Sequence, residues 1–256
     1  MDISSKLKHE LLLSDDNVYY SDTKFVTNSM LSLLNKSPQH LQRMLNGYKE
    51  DSPALNFGKA FHTIVLEPEK FDTEIAVFDG KTKRGKAWDE FKEKNKGITI
   101  ITNNEYNKIL EMRKHLVTPV DSYELIENSM HEVVNVWNML GIDCKGKVDC
   151  VYNVNDRKIL IDVKTTQDAS PEAFRRSAYK YGYHRQAAFY MDGMGADEFW
   201  FAVIEKEAPY RTGLYRASDE FLNNGRKELS DLLDMYREYF IDKNKQVNEY
   251  YFKGEL

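Results

Sequence analysis

The chain has 256 residues, is 41% hydrophobic and 30% charged, and carries a formal net charge of −5. That is enough for one large α/β domain with a real core, while the acidic balance excludes a uniformly basic surface and leaves only local cationic patches. Two cysteines, Cys144 and Cys150, are too few for a disulfide framework or a four-cysteine metal cluster. No segment approaches the roughly 20 apolar residues of a membrane helix, the strongest run being Phe199 to Ile204, and the N-terminus has no basic region followed by an apolar one. The expectation is a cytoplasmic protein with no membrane contact and one domain over 1–256. Its parts are a helical stretch to about 120, a sheet core over about 121–217, and a helix and tail over about 218–256.

In chain order, Ser37-Pro38 and Ser52-Pro53 each pair an N-cap with a proline at the first helical position, so helices begin at Pro38 and Pro53, and Gly47 ends the first. In the second, Phe57, Phe61, Ile64 and Val65 form one buried stripe, and His62 borders it. His62 alone fits a structural histidine as well as a functional one. Residues 81–96 follow, with seven Lys or Arg against three Asp or Glu around Trp88 and Phe91. The basic loop Lys83, Arg84 and Lys86 with Trp88 has the makings of a phosphate-gripping, base-stacking surface, or of a solvated helix face.

A helix is expected from Asn104 to Val117, then strands at Tyr123–Glu127 and Glu132–Leu140, with Glu132 either a site acid or an exposed strand-start residue. A hairpin follows. Ser170-Pro171 opens another helix, Gly182 breaks it, and a short helix from Tyr183 to Asp192 puts Gln186 and Tyr190 on one face. Arg175, Arg176 and Arg185, interleaved with Tyr179, Tyr181 and Tyr183, make a second basic and aromatic stretch. Strands Asp197–Glu205 and Tyr210–Ala217 and a helix from Ser218 to about Phe240 complete the chain.

The richest segment is Gly146–Thr165, GKVDCVYNVNDRKILIDVKT, read as two strands around a turn at Asn153, Asn155 and Asp156. Side chains alternate, so Asp162 and Lys164 point the same way, and a neighbouring strand sets Asp149 beside them. Two adjacent carboxylates repel unless a hard cation lies between them, and Mg²⁺ needs only such oxygen ligands with water and phosphate oxygens. An ammonium nearby can position a water and offset charge on a phosphate. On spacing alone the segment also fits a surface hairpin with a cross-strand salt bridge.

Five ordered blocks add to this. VTNSMLSLLNKSPQHL at Val26–Leu41, FGKAFHTIVLEPEKF at Phe57–Phe71, Val148-Asp149, Asp162-Val163-Lys164 and QAAFY at Gln186–Tyr190 resemble the PD-(D/E)XK nuclease superfamily, in its RecE-like branch of phage and prophage exonucleases. Val148 stands where that family often has proline. The resemblance implies an α/β (α+β) restriction-endonuclease-like core, a central mixed β-sheet flanked by helices. It implies Mg²⁺, with Mn²⁺ as a substitute, held by His62, Asp149, Asp162 and the Val163 carbonyl. Lys164 positions the nucleophile, and Gln186 and Tyr190 orient the substrate or the metal-site residues. It further implies DNA as partner, 5′ to 3′ hydrolysis from double-stranded ends for recombination in a bacterial host cell, a ring-shaped homo-oligomer, and a RecT-like annealing protein. An endonuclease of the same fold, or a non-catalytic nucleic-acid-binding module, remains compatible with the residues. No glycine-rich phosphate loop, Gly-x-Ser-x-Gly elbow or His-Glu-x-x-His helix is present.

Overall fold

The structure, a computed structural model, describes residues 16–48, 52–80 and 82–253. Lys81 of the basic run, and the ends of the expected helical arm and tail at 1–15 and 254–256, lie outside the described residues. The order is α1 Asp16–Ser21, α2 Asn28–Lys36, α3 Pro38–Leu45, α4 Pro53–Leu66, α5 Phe71–Glu74, β1 Ile75–Phe78, α6 Lys86–Lys94, β2 Thr99–Thr102, α7 Asn103–Leu116 and α8 Val120–Glu127. Then come β3 Met130–Met139, β4 Ile142–Val154, β5 Arg157–Thr166, α9 Pro171–Lys180, α10 Tyr183–Met194, β6 Glu198–Glu205, β7 Thr212–Arg216 and α11 Asp219–Tyr236. This is the expected α/β class with a central mixed sheet between helices.

The cap chemistry placed the helix starts correctly. Ser37, Ser52 and Ser218 accept from the backbone N–H three residues on, and proline occupies the first turn of α3, α4 and α9. Two expectations fail. Tyr123–Glu127 is not a strand but the end of α8, because Ser122 and Ile126, four apart, both bury on one helical face, and this packing outweighs the strand preference of Tyr and Ile. The basic loop is shorter than expected, since Gly85, at φ 84, caps a helix that begins at Lys86.

The five-stranded sheet runs β3-β4-β5-β6-β7, antiparallel throughout except for the parallel β5–β6 pair. The short strands β1 and β2 form a separate parallel pair. Period-two alternation divides the core between two helical layers. Ile161 and Val163 of β5 with Ala202 and Ile204 of β6 pack beneath α4 and α7, against Phe61, Ile64, Ile109 and Met112. Leu160, Phe199, Phe201 and Val203 face the other way, toward Phe174 of α9 and Ala187 and Met191 of α10. Beyond them Leu31 and Leu34 of α2, Phe189 of α10 and Leu229 and Leu233 of α11 enclose the outer part of that layer.

Candidate metal centre

The β4–β5 hairpin turns through Asn155 and Asp156, both left-handed at φ 49 and 60, between the paired residues Val154 and Arg157. Two successive positive φ values define the hairpin turn that Asn and Asp tolerate best after glycine. Backbone pairing runs back from that turn to Cys150–Ile161 and stops. At the next position the Asp149 carboxylate takes over, its Oδ2 accepting the Val163 N–H at 2.8 Å. Alternation along β4 also breaks here, since Val148 and Val151 pack into the same layer while Cys150 packs into the other, although the register with β3 is unbroken. The parting of the strands lets side chains from both helical layers meet.

Asp162 and Lys164 share the face of β5 toward α10, as the alternation predicted. Asp162 is 1% exposed, with Oδ1 accepting from Gln186 Nε2 at 2.6 Å and the Lys164 Nζ 2.5 Å from Oδ2. That Oδ2 is buried and held by the ammonium as an ion pair. Lys164 in turn sits 4.8 Å over the Tyr183 ring. His62 reaches in from α4, with Nδ1 3.5 Å from Asp149 Oδ2. The Tyr190 ring crosses Gly146, where an added Cβ would stand 2.5 Å from its Cε1. The Gln186 amide thus fixes Asp162, and the Tyr190 ring packs against β4 at Gly146.

Glu132 joins the group. It lies between the pairs His131–Cys150 and Val133–Val148, opposite Asp149 on the neighbouring strand. Oxygen and nitrogen atoms of His62, Glu132 and Asp149 lie within 4.8 Å of one another. Glu132 adopts φ +51, a left-handed conformation costly for a residue with a side chain, and one that re-aims the carboxylate. Its Oε2 is 2.8 Å from Lys147 Nζ, which is also 3.9 Å from Glu67 at the end of α4. Sequence reading left Glu132 between two roles and passed over Lys147 and Glu67. The available signal was the alternation that sets Lys147 two residues before Asp149.

Electrostatics follows from this crowding. Burial, then the Asp162 charge, pushes the Asp149 carboxyl up to about 7. Burial, then Asp149, likewise pushes Glu132 up to about 7. Burial and the Lys164 ammonium hold His62 below its ordinary range, which leaves a neutral imidazole able to donate a lone pair. For Lys164 burial works downward, yet Asp162 and Asp149 outweigh it and hold the ammonium above its usual range. Two carboxylates, Asp149 and Glu132, that resist ionising together, with a neutral imidazole whose ligand atom lies within 4.8 Å of theirs, are what a divalent cation resolves, so the residues fit one.

The sequence from residue 27 to 247 matches the family described as a PDDEXK-like domain of unknown function, DUF3799. The chain belongs to this PDDEXK-like family. Its fold is similar to that of an Eubacterium rectale protein described as a candidate exonuclease, with TM-score 0.62 and 15% identity over 95% of this chain and 96% of that one. Weaker likeness extends to SSO0001, with TM-score 0.42 and 14% identity over 91% and 86% of the two chains. A phage-related exonuclease from Haemophilus somnus 129PT gives TM-score 0.34 and 14% identity, over 75% and 96%. No curated protein matches the sequence. At these identities the likeness is one of fold.

The basic residues divide. Arg185 is a correction: it is 1% exposed, bound to Asn28, Ser32 and Glu228, and its guanidinium joins α2, α10 and α11 instead of facing DNA. Lys83 is tied to Glu105, the acid of the capping box that starts α7. Arg84 and Lys86 are exposed, and Trp88 packs edge-on against Phe78. Trp88 and Lys83 line a groove of about 890 Å³ together with Asn56, Lys59, Lys92 and Lys96. Arg175 and Arg176 lie exposed on α9, the latter paired with Glu172 at 2.5 Å. Tyr183 is packed under Lys164 and is not a base-stacking surface. None of the described helices is long and apolar enough to cross a membrane.

Proposed function

We propose that this chain is a metal-dependent deoxyribonuclease that acts as an exonuclease. One observation carries the reading: Asp149, Asp162, Lys164 and His62, drawn from two strands and a helix, converge where the β4–β5 ladder parts. Asp149, Asp162, His62 and the Val163 carbonyl would hold the ion, with Mg²⁺ suited to the oxygen donors. When bound, such an ion supplies Lewis-acid stabilisation of phosphate charge and lowers the pKa of a bound water.

Hydrolysis joins a water oxygen to phosphorus and breaks the phosphorus bond to the leaving sugar oxygen, with one proton lost by the water and one gained by the leaving group. Lys164 is kept protonated by its two acidic neighbours, so it works as a hydrogen-bond donor that positions the water and stabilises phosphate charge, and not as the base. Gln186 keeps Asp162 aimed at the opening by binding its other oxygen. The groove along α6 begins beside Lys59, one helical turn before His62 on α4, which supports it as the track that leads DNA to the site.

Action on double-stranded ends in the 5′ to 3′ direction, a recombination setting in a bacterial cytoplasm, a ring-shaped oligomer and a RecT-like partner are parts of the same proposal, drawn from the resemblance to RecE-like enzymes. The test is a time course on duplexes labelled at the 5′ or the 3′ end, with Mg²⁺ and with chelator, beside a covalently closed circle. Mononucleotide release from the 5′ label with Mg²⁺ alone is expected. Cleavage of the closed circle would overturn the exonuclease reading in favour of an endonuclease.

A further inference from the structure

Resting on the nuclease reading, we propose that Glu132 is a further protein ligand of the metal centre and that the Lys147 ammonium stands where a second cation would, so that the site binds one divalent ion. Glu132 and Lys147 come from neighbouring strands, and both side chains are largely enclosed, at 12% and 9% exposure. Glu132 presents one oxygen to Lys147 at 2.8 Å and shares a 4.8 Å cluster with His62 and Asp149. Its backbone holds the left-handed φ of +51 in mid-strand, and such strain persists only where the surroundings fix it. A purely structural salt bridge to Lys147 needs no such distortion, because ordinary strand geometry already sets cross-strand pairs side by side.

Charge supports a single ion. Asp149, Asp162, Glu132 and Glu67 face the ammonium groups of Lys164, Lys147 and Lys70, the last 2.6 Å from Glu67. With all of these ionised, one negative charge remains. One divalent cation turns it into one positive charge, which the scissile phosphodiester neutralises. A second divalent ion would leave two uncompensated positive charges in an enclosed site, where such charges are costly. Lys147 thus has two tasks, since it fixes the Glu132 carboxylate as outer partners of metal ligands do, and it occupies the cationic position between Glu132 and Glu67.

The test is a titration of the full chain with Mn²⁺ alone, without DNA, read by electron paramagnetic resonance and calorimetry, with thermal melting to confirm folding. Wild type is expected to bind one Mn²⁺. Glu132→Gln, nearly isosteric, is expected to lower that affinity about tenfold or more. Lys147→Glu, or Lys147→Asp if the first does not fold, takes away the ammonium and adds a carboxylate, so that two divalent ions leave it the same single positive charge that one ion leaves the wild type, and it is expected to bind two. Two ions in the wild type, an unchanged affinity in Glu132→Gln, or a single ion in the folded Lys147 variant would each overturn the proposal and leave the nuclease reading standing. Absence of any Mn²⁺ binding by the wild type would overturn that reading as well.

Discussion

Replacing Arg185 by methionine separates a structural arginine from a DNA-gripping one. Its guanidinium donates Nε to Asn28 at 3.2 Å, one terminal nitrogen to Ser32 at 2.6 Å and the other to Glu228 at 2.5 Å, with the side chain 2% exposed. Removing one partner of a buried ion pair costs about 3–5 kcal/mol. Glu228 keeps His184 at 2.6 Å and Asn35 at 2.9 Å, and methionine refills much of the volume, which puts the expectation at the low end, about 3 kcal/mol. For a domain of this size, that corresponds to a melting temperature lower by about 6–12 °C. Urea unfolding gives the free energy, and fluorescence anisotropy with a labelled duplex, below the melting range, gives DNA affinity. The expected result is a large stability loss with affinity within twofold of wild type. A melting temperature unchanged within a degree, with DNA binding weakened tenfold, would refute the placement of Arg185 in the helical layer.

Gln186→Leu strips the donor from Asp162 Oδ1, and metal affinity measured by calorimetry is expected to fall about 10–100-fold, as for other residues that hold a metal ligand. Asp149→Asn reads the raised carboxyl through pH. The folded-state value of about 7 lies above the unfolded value of about 4, so the metal-free folded state holds the extra proton between them and loses stability as pH rises through that window. The variant's melting temperature, relative to wild type without metal, should therefore climb from pH 5 to pH 8, and a pH-independent difference would contradict the burial of that charge. Charge reversal in the α6 groove, Lys92→Glu with Lys96→Glu, is expected to weaken duplex binding and flatten its salt dependence while kcat stays near wild type. A proportional fall in kcat with unchanged binding would remove the groove from the DNA path.

Much of this arrangement was legible because it rests on local rules. The Ser-Pro pairs at 37–38, 52–53 and 170–171 fix helix starts through caps and proline geometry, and strand alternation put Asp162 and Lys164 on one face. The ordered motifs single out His62, Asp149 and Gln186, and the fold sets His62 against Asp149, Asp149 against the Val163 N–H and Gln186 against Asp162. What escaped depends on long-range packing. Arg185 sits in a run of four basic residues that reads as a cationic surface, and only the docking of α2 and α11 buries it. Glu132 looks like an exposed strand-start acid until the third strand is placed opposite Asp149. The pairs β1 and β2, four residues each, are too short for alternation to show, and the α8 segment carries strand-forming residues that tertiary burial turns into a helix.

The central claim is that Asp149 and Asp162 form the metal centre of a DNA-cleaving site. The direct measurement is release of nucleotides from end-labelled linear duplex by wild type and by Asp162→Ala, each with Mg²⁺ and with chelator, the variant first shown by its melting curve to be folded. Release by the wild type in Mg²⁺ alone, abolished in Asp162→Ala and in chelator, is the predicted result. Activity that persists in the folded variant, or none from the wild type on any DNA end with Mg²⁺ or Mn²⁺, would contradict it.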